Sequence, residues 1–132
     1  MEGSGTPPAN PGNGGRLAGR EAILQAIGDP LSRQLLLLLS GAPRSAKELL
    51  QSVSVPLSTL YRRLGELKAL GLVDVQRSLI TEDGKKTELY RSLLEEVHIH
   101  LRGSELELRT RRRDMAAERL ADLWGEVREG RD

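Results

Sequence analysis

The sequence predicts an α+β fold in which a group of helices is followed by β-hairpins and a final helix. From Arg20 to Leu70, apolar residues recur at the spacing of amphipathic helices, with glycine and proline between the segments. After Gly71 the apolar residues alternate with polar ones, which is the pattern of half-buried strands. The helical spacing returns from Asp114 to about Arg128. These changes of period predict the order of the elements.

Composition restricts the kinds of function that the chain can have. The 132 residues are enough for one domain with a short appendage, and with 38% hydrophobic but only 2% aromatic residues the core must be aliphatic. The absence of cysteine excludes disulfides, thiolate catalysis and the usual zinc clusters. The formal net charge is only +1, so binding to nucleic acid would have to depend on where the charges lie.

No targeting or membrane-spanning pattern is visible. Met1 is followed by Gly, Ser, Pro and Asn rather than by a basic stretch and an apolar run, so we expect no signal peptide. The longest apolar run, Leu35 to Leu39, is far shorter than the roughly 20 residues that cross a bilayer. The expectation is a soluble cytoplasmic protein without a membrane partner.

Three regions are expected along the chain. Residues 1–19 hold six glycines and three prolines and almost no apolar side chains, so they are predicted to be a disordered tail. Residues 20–94 are predicted to form the main domain. Residues 95–132 are predicted to form an extension, made of a β-hairpin and a C-terminal helix.

Capping signals divide the helical region into four helices. The first runs from Arg20 to Ile27, and Asp29 is a suitable N-cap for a second helix, with Pro30 at its first position and its end near Ser40. Ser45, with Glu48 three residues later, predicts a capping box for a short third helix.

The fourth helix is predicted from about Leu57 to Leu70, ending before Gly71. Leu60, Leu64, Leu67 and Leu70 form its apolar stripe. A turn of about four residues is expected between the third and fourth helices.

Two hairpins follow in the predicted order. Val73 and Val75 begin the first, residues 89–92 return, and Asp83-Gly84 lies at the turn, so residues 79–86 are expected to be a long projecting loop. Val97, Ile99 and Leu101 alternate in the second hairpin, followed by Leu106 and Leu108, with a turn at Gly103-Ser104.

Two short helices joined by a turn and followed by a β-hairpin have the layout of a winged helix-turn-helix. The major groove of DNA admits one helix, whose N-terminal residues reach base edges, while the wing contacts the backbone. In the fourth helix Arg62 is the candidate for reading guanine, and Arg63 either contacts phosphate or pairs with a carboxylate. A solvated, non-binding role remains the alternative for each basic residue. The full set of candidate DNA-binding residues is Ser58, Thr59, Tyr61, Arg62, Arg63, Lys68, Lys85 and Lys86.

The chain resembles ArsR-like winged-helix transcriptional regulators, particularly small archaeal ones. The resemblance lies in "AIGDPLSRQLLLLL", "APRSAKELLQSVSVPLSTLYRRLGELKALGLV" and "DGKKTELYRS". It implies a sequence-specific repressor or activator that binds double-stranded DNA as a homodimer. Metal-sensing members carry cysteines on the helix before the turn, whereas this chain has "SAKELL" there, so metal sensing is not implied and any effector is unknown.

The C-terminal helix is predicted to need a packing partner, because a short helix with a narrow apolar stripe is marginal alone in water. It would either fold back on its own domain or pack across a two-fold axis in a homodimer. The candidate dimerisation residues are Leu120, Leu123, Trp124 and Val127.

Other signals favour simple interpretations. His98 and His100 would share one strand face, but no third ligand is evident, so two exposed histidines are favoured over a metal site. The Arg111–Arg113 run favours a solvated linker over a DNA contact.

No spacing of residues suggests a catalytic centre or a cofactor site, so the chain is not expected to be an enzyme. Two alternatives to a sequence-specific regulator remain. One is a winged-helix module that binds protein in transcription machinery, and the other is a non-specific architectural DNA-binding protein.

Overall fold

The computed structural model describes residues 19–129, with side chains as far as Gly125. The predicted tail, apart from Gly19, and the side chain of Val127 lie outside the described residues. The elements in chain order are α1 (Arg20–Gly28), α2 (Pro30–Gly41), α3 (Ala46–Leu50), α4 (Leu57–Ala69), β1 (Val73–Ile80), β2 (Lys86–Ser92), β3 (Leu94–Arg102), β4 (Glu105–Arg112) and α5 (Met115–Glu129). The order confirms the predicted α+β fold. No helix of the described part is long and apolar enough to cross a membrane.

The predicted caps form as expected. The Asp29 carboxylate accepts a hydrogen bond from the Ser32 N–H at 2.8 Å, and Pro30 occupies the first turn of α2. The Ser45 hydroxyl accepts from the Glu48 N–H at 3.1 Å, while the Ser45 N–H donates to the Glu48 carboxylate at 2.9 Å. These bonds satisfy N–H groups that a helix leaves unpaired.

An aliphatic core lies where the four helices and β1 meet. Leu60, Leu64 and Leu67 of α4 are fully buried and Leu70 is partly buried against them, which confirms the predicted stripe. They pack with residues from the other helices, from β1 and from the turn before it, of which Leu35, Leu39, Leu49, Leu72 and Val73 are fully buried. The leucines of α4 therefore fix which side of that helix faces outward.

The connection between α3 and α4 is longer than expected. Helix α3 ends at Leu50 and α4 begins at Leu57, so six residues separate them, and the prediction of a turn of about four residues was wrong. Val53 is buried in this turn, and the Gln34 side chain donates to the Ser52 carbonyl at 3.0 Å. The connection is longer than predicted because α3 ends at Leu50, and the residues after it form a turn that buries Val53.

Strands β1 and β2 form the predicted wing as an antiparallel hairpin with Gly84 at positive φ in the turn. The strands extend further than expected, because Leu79 pairs with Thr87 and Ile80 with Lys86. Only residues 81–85 form the loop, so the prediction of a loop over residues 79–86 was wrong. The side chains of these two residues are exposed, but their backbone groups pair with β2 and so belong to the strand.

The second hairpin, β3 and β4, is antiparallel and turns at Gly103-Ser104 as predicted. Val97 pairs with Thr110, Ile99 with Leu108 and Leu101 with Leu106, so these residues share one face. Val97 and Leu108 pack against the core, whereas Leu101 is 81% exposed near the tip. The hairpin therefore packs against the core near its middle, and Arg20 of α1 contacts the Leu106 carbonyl nearer the tip.

A group of charged residues ties the C-terminal elements to the main domain. Arg113, whose side chain is only 9% exposed, pairs with Glu118 at 2.8 Å and Glu95 at 3.3 Å, and donates to the Ser40 carbonyl at 3.3 Å. Arg91 of β2 donates to the same carbonyl at 3.4 Å. The prediction of a solvated linker at residues 111–113 was wrong, because Arg111 and Arg112 belong to β4 and Arg113 is enclosed by its partners.

Candidate nucleic-acid interface

The outer surface of α4 presents a narrow polar stripe. Ser58, Arg62 and Gly65 are spaced by four and three residues, so they lie on one side of the helix, and all three are exposed. That side lies opposite the buried leucines. Gly65 has nothing within 4 Å of the position where a Cβ would stand. A side chain would therefore fit there, and its absence leaves room for a partner to approach the helix backbone.

The N-terminal end of α4 is open to an anionic partner. Pro56 occupies the N-cap and supplies no side-chain hydrogen bond to the first turn. The exposed Ser58 and the partly exposed Thr59 add hydroxyl groups beside the N–H groups of that turn. A helix N-terminus with this arrangement is suited to bind a phosphate oxygen or a base edge.

Arg63 is directed toward α2. Its guanidinium forms an ion pair with Asp29, donates to the Ser32 hydroxyl at 3.0 Å and lies 3.1 Å from a Glu66 carboxylate oxygen. The Ser32 hydrogen bonds and the charge of Arg63 lower the pKa of Asp29 below its usual value. Of the two roles predicted for Arg63, this contact is the pairing with a carboxylate, and it fixes α4 to the N-terminus of α2.

Two further candidates lie along one flank of α4. Tyr61 is 51% exposed, and Lys68 follows it by seven residues, so both lie on the same side and about two turns apart. Buried Tyr90 of β2 lies near Tyr61: burial, Glu88 and Tyr61 together raise the pKa of Tyr90. The end of this flank at Tyr61 therefore lies near β2.

The wing tip is held by the side chain of Thr81. Its hydroxyl accepts from the Lys85 N–H at 3.1 Å and donates to the Asp83 carboxylate, which lowers the pKa of Asp83. Lys85 also lies 4.0 Å from an Asp83 oxygen, so its charge is partly balanced. Lys86 is the exposed first residue of β2.

Lys47 is a basic residue near the wing tip that the sequence interpretation did not include. It is exposed on α3, and its charge contributes to the lowered pKa of Asp83. No local pattern distinguishes it from a solvated lysine. Only the packing of α3 beside the wing brings it near the other basic residues.

Three of the four predicted dimerisation residues lie together on the outer side of α5. Leu120, Leu123 and Trp124 are 55%, 56% and 59% exposed, and their spacing places them on one helix face. The opposite side carries buried Met115 and polar residues that face β1: Arg119 donates to the Val75 carbonyl at 2.6 Å, and the Gln76 amide donates to Asp122 at 2.7 Å. Thus α5 folds back on its own domain and leaves its apolar side uncovered within the described residues.

His98 and His100 are exposed on the polar face of β3, as strand alternation predicts. His98 lies opposite Arg109 and 3.1 Å from the Glu96 carboxylate, and His100 lies opposite Glu107. Among the residues that the structure describes, no three His, Asp or Glu side chains are grouped to hold a metal ion.

Comparison with known families agrees with this geometry. Residues 27–76 match a family model described as a helix-turn-helix domain. The match covers α2, α3, α4 and the first half of β1, and it supports a DNA-binding regulator of the helix-turn-helix class. No curated protein matches the chain.

Proposed function

We propose that the chain is a sequence-specific regulator of transcription of the ArsR-like winged-helix type, which binds double-stranded DNA as a homodimer and has no catalytic role. The observation that carries the proposal is the outer stripe of α4, where Ser58, Arg62 and Gly65 face solvent together on a helix fixed by three buried leucines. A rigid helix with a polar, sterically open outer side fits the major groove.

Different residues have different roles in this proposal. Arg62 reads a guanine edge, while Ser58, Thr59 and the first turn of α4 bind backbone or a base edge. Lys85 and Lys86 contact phosphate from the wing, and Tyr61 and Lys68 contact the DNA from one flank of α4. Arg63 acts mainly by positioning α4 through Asp29. Lys47 is added as a phosphate contact near the wing.

Residues 20–94 carry DNA binding, and residues 95–132 extend the domain for dimerisation. Burial of Leu120, Leu123 and Trp124 between two copies removes a contiguous apolar surface from water. A two-fold dimer also presents two copies of α4 to the half-sites of a palindromic operator. The absence of cysteine removes thiolate metal sensing, so the effector of this regulator, if it has one, acts by other chemistry.

Selection of bound sequences from a random DNA pool tests the proposal. We expect an enriched site with two-fold symmetry, bound at physiological salt. In fluorescence anisotropy Arg62→Ala should cost about 1–3 kcal/mol and relax the preference at one base position. Lys86→Ala should weaken all sequences alike and lower the salt slope by about 1.

Arg33→Ala is the matched control, because Arg33 is an exposed arginine on α2 whose guanidinium donates to the Ile27 carbonyl at 2.7 Å. Its affinity should equal that of the unchanged protein. A steep salt dependence without any enriched sequence would instead show an architectural DNA-binding protein. Absence of salt-dependent DNA binding would favour a module that binds protein.

The dimer is tested separately by light scattering coupled to size exclusion. Leu123→Glu should lower the measured mass by disrupting the α5 contact, because it places a charge in the proposed apolar contact. Leu37→Glu is the control, since Leu37 is 69% exposed but lies on α2. A mass that is unchanged by Leu123→Glu would remove α5 as an interface between copies.

A further inference from the structure

Strand β4 has an outer edge at which a further strand can pair. In the part of the chain that the structure describes, β3 and β4 form a sheet of two strands. An exposed strand edge offers a row of N–H and C=O groups to another chain, and a two-stranded sheet is marginal by itself.

One contact shows which residues of β4 direct their backbone groups outward. The Arg20 guanidinium donates to the Leu106 carbonyl at 2.9 Å, so this carbonyl points away from β3. Because the direction of the backbone groups alternates along an antiparallel strand, Leu108 and Thr110 also present their N–H and C=O groups to the outer edge.

The charges along β4 are arranged so that the strand is complementary to itself. Glu107 comes one residue before Leu108 and Arg109 one residue after it, while Glu105 comes three residues before and Arg111 three residues after. If two β4 strands run antiparallel with Leu108 opposite Leu108, each glutamate lies opposite an arginine. The strands therefore have complementary charge in one register, centred on Leu108.

We propose that β4 pairs with β4 of a second copy of this chain, antiparallel and about a two-fold axis at Leu108. This register agrees with the backbone, because Leu108 is an outward-facing residue and two such residues exchange both hydrogen bonds in an antiparallel pair. The charge pattern and the backbone direction thus select the same centre, although they are separate observations.

The polar face extends the complementarity to all four strands of the joined sheet. Within one chain Arg102 lies opposite Glu105, and Arg111 forms an ion pair of 2.7 Å with Glu96. In the proposed sheet these two pairs lie side by side in one row across the four strands. The row reads Arg102 and Glu105 of one copy, then Arg111 and Glu96 of the other. The signs alternate across the row, and neighbouring charges attract.

The apolar face gains lateral contacts at the same axis. Ile99, which is 45% exposed, pairs with Leu108 in the hairpin, so the central row of the joined sheet reads Ile, Leu, Leu, Ile. Arg20 has to release the Leu106 carbonyl, which then accepts from the Thr110 N–H of the second copy. The guanidinium can move into solvent, because the Arg20 side chain is 56% exposed.

Cysteine cross-linking of the full chain tests the register, since the natural sequence has no cysteine. Leu108→Cys should form an intermolecular disulfide under mild oxidation, because residues opposite each other in such a pair have Cα atoms about 5.5 Å apart. Leu106→Cys is the matched control on the same strand and face. Its counterpart would be four residue positions away, roughly 13 Å, so it should not cross-link. Equal cross-linking of the two variants, or none with Leu108→Cys, overturns the proposal.

Charge reversal supplies a second test that a folding defect cannot imitate. In the Leu108→Cys background, the pair Glu105→Arg and Glu107→Arg should slow cross-linking at least about tenfold at low salt, because four attractions per dimer become repulsions. The pair Arg109→Glu and Arg111→Glu should do the same. An equimolar mixture of the two variants should recover cross-linking between unlike chains. Failure of the mixture to recover overturns the proposal, and DNA binding and the α5 contact are measured independently of this result.

Discussion

Helices α4 and α5 are both amphipathic, but they attach to the protein by opposite sides. Helix α4 buries its leucines, with Leu60, Leu64 and Leu67 at most 1% exposed, and presents a polar outer side. Helix α5 buries Met115 at its start, but along the rest of its length it is held through Glu118, Arg119 and Asp122. It presents Leu120, Leu123 and Trp124 to solvent. The attached side of a helix is therefore the side that finds complementary atoms, and this need not be its apolar side.

The difference indicates the chemistry of the partner that each helix meets. The outer side of α4 has hydroxyls, a guanidinium and an open glycine, which suit a charged, hydrogen-bonding partner such as DNA. The outer side of α5 has large apolar side chains, whose burial is favourable only against another apolar surface. In the proposed function the exposed side of α4 binds DNA and the exposed side of α5 joins two subunits.

The largest effect is expected when the apolar attachment of α4 is broken. Leu64→Ala should lower the free energy of unfolding by about 3 kcal/mol, because Leu64 is fully buried and its loss leaves a cavity. Leu123→Ala, the same change on the exposed side of α5, should cost close to nothing at protein concentrations where the chain is monomeric. Chemical denaturation measures both, and equal losses would mean that the two leucines have similar surroundings.

Breaking the polar attachment of α5 should have a smaller effect. Arg113→Ala should lower the free energy of unfolding by about 2 kcal/mol, because it removes the enclosed partner of Glu118 and Glu95. The loss is limited because both carboxylates are partly exposed to water. Hydrogen exchange should accelerate in α5 and leave α4 protected. Arg102→Ala provides the control on an exposed arginine, and uniform acceleration throughout the chain would contradict a local role.

A pH-dependent effect is expected where α4 contacts α2. The pKa of Asp29 is lowered in the folded protein by the Ser32 hydrogen bonds and Arg63, so the ionised carboxylate contributes stability above its unfolded pKa near 3.8. This contribution is lost as the pH falls through the still lower folded value. Asp29→Ala should cost about 1 kcal/mol at pH 7, as for other N-caps. In denaturation series over pH, its difference from the unchanged protein should shrink below about pH 4, and a constant difference would contradict this assignment.

The smallest effect is a gain in stability. Gly65→Ala should stabilise the protein by about 0.5–1 kcal/mol, because Gly65 is within a helix and a Cβ there meets open space. Gly65→Leu should leave the fold intact but weaken DNA binding, since it adds bulk to the outer stripe of α4. Undiminished DNA binding by Gly65→Leu would show that this side of α4 does not approach the partner closely.

Local signals made most of the helices predictable. The N-caps at Asp29 and Ser45 and the leucine spacing of α4 depend on residues within one or two turns of each other, so the sequence contains their causes. The turns at Gly84 and Gly103 were also predictable from local sequence, because glycine is the residue that adopts positive φ most easily. Both glycines have positive φ in the structure.

Other features depend on distant residues. The length of the wing follows from pairing of Leu79 and Ile80 with β2, which outweighs the polar character of the neighbouring loop. The role of Arg113 follows from the Ser40 carbonyl, 73 positions away in the chain. For Arg63 the sequence left two alternatives, a contact with phosphate or pairing with a carboxylate. Its partner Asp29 lies on the other side of the contact between α2 and α4, so only their packing identifies it.

The sequence alone determined that α5 has an apolar and a polar side, because the spacing of its side chains defines both. Only the tertiary structure decided which of them faces the domain. At the shift in register of β1, the Val75 carbonyl accepts a hydrogen bond from Arg119, and the Gln76 amide donates one to Asp122. These groups come from a strand more than 40 positions away, and hydrogen bonds require specific atoms at short distances, which a pattern of residue types does not contain.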